Sequence, residues 1–168
     1  MKWIAGIMKN NTLNIYEELL DEAVDNNILV KEVALKSKSD GLYKDGKIAI
    51  NKATLSTVAQ KACVLAEELG HHHKTYGNII DLNNINNIKQ ENKARLYAYD
   101  KLVGINGLIN AYSAGCRNLY DIADYLNVTE EFLSAAIEEY ACKYGEQPVS
   151  YEGYDIIFVP RFIVFKRF

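Results

Sequence analysis

Cys63-Val64-Leu65-Ala66-Glu67-Glu68-Leu69-Gly70-His71-His72-His73 is the stretch on which the reading of this chain turns. It holds all three histidines of the 168-residue sequence and two adjacent carboxylates, inside a run of helix-forming residues. Four apart on a helix, Glu67 and His71 stand one above the other on a single face. That spacing lets one helix offer two ligands to one metal ion. Glu68 is rotated about a third of a turn from Glu67. A solvated helix end, with acidic and basic side chains paired across a turn, fits the same spacing.

Set against the zinc-peptidase pattern H-E-x-x-H, the chain reads E-E-L-G-H. The glutamate that serves as general base in that motif corresponds to Glu68, the second histidine to His71, and Glu67 stands where the first histidine is expected. A catalytic zinc also needs a third protein ligand and an open position for water. Further along comes Glu91-Asn92-Lys93-Ala94-Arg95-Leu96-Tyr97-Ala98, which reads E-x-x-A-x-x-Y-A.

Together the two stretches resemble the ImmA/IrrE family of metallo-endopeptidases, in which H-E-x-x-H lies on one helix and E-x-x-A-x-x-F-A on the next. The resemblance runs from the first helix to Val128. It implies an α+β fold: a zincin-like metallopeptidase core with a small antiparallel sheet packed on the active-site helices. It implies Zn²⁺ held by Glu67, His71 and Glu91, with Glu68 as the catalytic base. It also implies a protein substrate, a helix-turn-helix repressor of a phage or integrative element, cut at a specific site. The departure from the family pattern is Glu67. One carboxylate ligand leaves a divalent site net positive, whereas two make it neutral, so the metal-bound water is less acidic and Mn²⁺ or Fe²⁺ become alternatives to zinc. A slow, narrowly targeted peptidase is the expectation. Its rival is a non-catalytic antirepressor that binds the repressor through the same cleft.

Composition sets the bounds. Hydrophobic residues at 49% and charged residues at 24% are those of an ordinary globular protein. A net charge of −3 makes no electrostatic case for nucleic acid or an anionic membrane surface. Three cysteines, an odd number without paired spacing, suit a reducing cytoplasm, and Cys63 reads as core packing rather than as a thiolate ligand. No apolar run reaches the length of a membrane span. Met1 to Ile7 is short for a signal peptide and reads as an extension ahead of a second start at Met8, without function.

Along the chain, an amphipathic helix is expected over 12–26 and a strand over 28–35. A hairpin follows with Asp45-Gly46 in its turn, and its second arm leads into the motif helix, which starts near Thr54 or Ser56 and runs to His73. That second arm is expected to wall the cleft and to offer an edge to an extended peptide. Gly70, unfavourable within a helix, calls for a close approach of another backbone or of the metal site, or for a helix about to end. Adjacent histidines cannot share a face, so His72 and His73 read as at most one helper near the metal, or as a solvated basic helix end.

Residues 76–89 read as an asparagine-rich loop and 90–111 as a second long helix, with a break near Val103. The core is expected over 1–115. Residues 116–168 then form a helix-turn-helix-like pair and a C-terminal β segment of two short strands or one bent strand, packed on the core. The second helix of that pair carries Glu130, Glu131, Glu138 and Glu139 and would be repelled by phosphate, so direct DNA binding is not expected.

Overall fold

The computed structural model describes residues 14–74 and 85–167, so the expectations for Met1 to Ile7, and for most of the asparagine-rich loop, fall outside the described residues. Helix α1, Ile15–Asp25, begins at a capping box: Asn14 accepts from the backbone of Tyr16 and Glu17, and Glu17 returns a bond to the Asn14 N–H. Its buried residues Tyr16, Leu19 and Ala23 recur at helical spacing. Strands β1 (Leu29–Val33), β2 (Gly41–Lys44) and β3 (Lys47–Asn51) follow.

The Asp45-Gly46 turn forms as expected. Both residues have positive φ (48° and 72°), which matches the twist of the flanking strands. The sheet, however, is mixed and not antiparallel. Its order is β1-β3-β2, with β3 parallel to β1 and antiparallel to β2. From β1 the chain first crosses to the far edge as β2, and the tight hairpin then folds β3 back into the middle. Asn51, 1% exposed, holds that crossing in place: its Oδ1 accepts from Leu35 and Ala53, and its Nδ2 donates to the carbonyl of Ser39.

Helix α2, Val58–Lys74, starts where Thr57 Oγ1 accepts from the Gln60 N–H while Gln60 Oε1 accepts from the Thr57 N–H. Leu65, Ala66 and Leu69 are fully buried, because α1, α3 and the sheet cover this helix on three sides. Helix α3, Ile85–Leu102, starts earlier than the expected loop allows: the asparagine-rich composition of 85–89 argued for a loop, yet the chain there is helical. The break near Val103 is present, with Gly104 at φ 56° opening α4, Gly104–Ser113.

Helices α5 (Leu119–Leu126) and α6 (Glu130–Tyr144) form the expected pair, joined by Asn127 in a left-handed conformation (φ 55°), with Thr129 capping α6. The tail makes three strands rather than two: β4 (Val149–Tyr151), β5 (Tyr154–Ile157) and β6 (Ile163–Lys166), antiparallel in that order. The extra strand arises because Glu152-Gly153, both at positive φ, close a tight hairpin that the aromatic composition hid. One apolar core runs from Leu19 and Ile50 through Leu65 and Leu108 to Leu133 and Ile156. Among the described residues no helix is long and apolar enough to cross a membrane.

Candidate metal centre

Three neighbouring faces of α2 carry the polar residues, and a different element covers each. Spacing alone places His71 between Glu67 and Glu68 in angle, one turn further on. Gly70 sits where α2 and α3 nearly touch: a β-carbon there would lie 2.3 Å from the carbonyl oxygen of Ala94. The glycine is thus explained by close approach of a second backbone. Ala94 lies one turn beyond Glu91 on α3, so the same approach brings the two motifs together. His71 Nε2 stands 3.5 Å from Glu91 Oε2.

Glu68 faces β2. A β-carbon on Gly41 would fall 2.5 Å from Glu68 Oε1, so any larger residue there would have to displace the Glu68 and Val64 side chains. Burial first, then the Glu67 charge and more weakly Glu91, push the Glu68 carboxyl up to about 7, while a hydrogen bond from the Tyr43 backbone pulls the other way. That places it near neutrality, where a group both accepts and returns a proton. The strand beside Glu68 is β2 and not β3, which corrects the expectation for the hairpin's second arm: β3 lies in the centre of the sheet and β2 at its edge.

Glu67 turns into a cleft of about 390 Å³, whose walls include Asp40, Cys63, Tyr99, Thr129 and Phe132. Burial is the main cause that raises its carboxyl above the ordinary value, with Glu91 and Asp40 adding to it and Arg95 opposing. His71 is held below the usual imidazole value by burial, against the pull of Glu91. Arg95 Nε lies 3.0 Å from Glu91 Oε1, four residues along α3.

Do these residues suit a divalent ion? A nitrogen and an oxygen donor already meet in His71 and Glu91, both of the chemistry zinc prefers. The charge of Glu67 raises the half-buried Glu68 and that of Glu91 raises both, and a cation would relieve that. Glu67 is aimed into the cleft, and among the described residues no three His, Cys, Asp or Glu side chains stand as a closed ligand set. The structure thus brings two of the three candidate ligands together, beside Glu68.

The other two histidines turn away. His72 Nδ1 is 2.9 Å from the Tyr43 hydroxyl. His73 Nε2 is 3.4 Å from Glu22 of α1, a carboxylate that also takes the Tyr97 hydroxyl and, at 2.7 Å, the Lys101 ammonium. These contacts lock the end of α2 to α1, α3 and β2. Sequence reasoning missed Gly41, Tyr43, Glu22 and Arg95. Only Arg95 left a signal, its spacing of four from Glu91; the rest depend on long-range contacts. Compared with protein-family models, curated proteins and solved structures, the chain matches none.

Proposed function

We propose that this chain is a zincin-like, metal-dependent endopeptidase of the ImmA/IrrE type, acting in the cytoplasm on a helix-turn-helix repressor of a phage or mobile element. The observation that carries the reading is the meeting of His71 and Glu91 at 3.5 Å, beside a half-buried Glu68 whose carboxyl is raised to about 7. His71 and Glu91 would hold the ion, with Glu67 completing the set by turning out of the cleft. Bound there, the metal would supply a polarised carbonyl and an acidified water. Glu68 takes the proton of the attacking water on its carboxylate and returns it to the leaving amine. The edge strand β2, which runs beside Glu68, gives an extended substrate segment a backbone to pair with. The paired glutamates on α2 favour a slow enzyme, and Mn²⁺ or Fe²⁺ beside Zn²⁺.

A second reading is a non-catalytic antirepressor that uses the same cleft. It is favoured by Arg95, which already occupies one oxygen of Glu91, and by the orientation of Glu67. Direct DNA binding is not part of either reading, because α6 opens on Glu130 and Glu131 and continues with Glu138 and Glu139. Metal analysis of the purified chain, with incubation against the repressor encoded beside its gene, separates the two. On the peptidase reading the repressor is cut, and Glu68→Gln keeps fold and metal but stops the cutting. Repressor bound intact by a metal-free chain leaves only the antirepressor.

A further inference from the structure

We propose that the cavity between α4, α5, α6 and β6 is a binding site for a small monocarboxylate carried on an apolar chain or ring. The cavity measures about 560 Å³, within the range of small-molecule sites. Its walls are mainly apolar: Ile122 from α5, Ile137 from α6, Phe162 and Val164 from the tail, with Leu119 at the lip. Arg117 stands among them. Its Nη1 donates to the carbonyls of Tyr112 (2.7 Å) and Cys116 (2.8 Å), and its guanidinium carbon lies 4.3 Å from the centre of the Tyr112 ring.

These contacts fix the guanidinium before any ligand arrives, and they use only Nη1. Nε and Nη2 remain to donate side by side, the geometry that suits a carboxylate. Among the described residues the Arg117 guanidinium forms no ion pair. Asp121, the nearest acid in sequence, accepts from the Asn118 side chain at 2.9 Å and from the Arg117 backbone N–H at 3.5 Å, not from the guanidinium. A held cation without an ion pair among the described residues, opening onto an apolar hollow, is complementary to an anionic head on an apolar body. Glu138, exposed on the α6 wall, adds a single negative charge. Its charge opposes any anion in the hollow, a doubly charged phosphate monoester more than a monocarboxylate.

The site is independent of the peptidase reading and is tested without any assay of cleavage. The full chain is titrated calorimetrically with hexanoate, octanoate, decanoate and decanol, and thermal denaturation checks that each variant is folded. One molecule should bind per chain, and each added methylene should tighten binding about fourfold until the hollow is filled. Decanoate should bind at least about tenfold tighter than decanol. Arg117→Gln should erase that preference, and Ser134→Trp, which fills the hollow from α6, should weaken both ligands. The Ser134 variant and the wild-type comparison stand even if Arg117→Gln does not fold. Absence of saturable decanoate binding, equal affinity for decanol, or undiminished binding after Ser134→Trp would each overturn the proposal.

Discussion

Glu68 of α2 rests against the bare backbone of Gly41 on β2, so closely that a β-carbon at 41 would stand 2.5 Å from its Oε1 and 2.6 Å from Cγ1 of Val64. Gly41→Ala therefore has to displace the carboxylate and the valine together. The expected cost in stability is about 1–3 kcal/mol, as for overpacked sites elsewhere, and cleavage should drop because the base leaves its position. Urea denaturation with a parallel cleavage assay checks both. Full activity at unchanged stability would mean that Glu68 is not placed by this contact.

The Glu68 carboxyl, raised to about 7 mainly by burial, makes stability depend on pH in the metal-free protein. Folded, the group keeps its proton up to about 7; unfolded, it loses it near its ordinary 4.5. Between those limits the folded state binds more protons, so stability falls as pH rises through the window. The total is at most about 3 kcal/mol. Glu68→Gln lacks this dependence, so the stability difference between variant and wild type should widen in the variant's favour from pH 4.5 to 7. Parallel denaturation curves in chelator show it. A constant difference would place Glu68 in water.

Gly70→Ala puts a β-carbon 2.3 Å from a backbone oxygen, which cannot swing aside as a side chain can. Alanine favours the helix by about 1 kcal/mol over glycine. The forced separation of α2 from α3 outweighs that gain, for a net loss of about 1–3 kcal/mol. His71 and Glu91 part as well, so metal retention should fall with stability. A variant more stable than wild type would contradict the close approach of the helices.

Glu67→His restores H-E-L-G-H and makes a metal-loaded site more positive by one charge. Zinc content after purification should equal or exceed that of the wild type, with zinc favoured over manganese, and a permissive peptide should be cut faster. Metal analysis and a peptide assay measure the two. Loss of metal would show that the cleft beside Asp40 and Cys63 is built around a carboxylate.

Much of this was readable in order along the chain. The α2 sequence announces a helix, Asp45-Gly46 a hairpin, and Gly104 a break, because each depends on backbone preferences spanning only a few residues. The helical period also puts Glu67, Glu68 and His71 on adjoining faces without knowledge of anything around them. What covers those faces is another matter. That β3 lies between β1 and β2, that β2 and not β3 meets Glu68, and that His73 points to Glu22 on α1 while His71 points to Glu91 on α3, are outcomes of packing between distant segments. Gly41 and Gly70 show the difference most directly. In the sequence each is only a residue without a side chain, and the need for that absence comes from Glu68 in one case and the Ala94 carbonyl in the other. Local spacing sets the angle at which a side chain leaves its helix; only the close packing of the folded chain determines what it meets there.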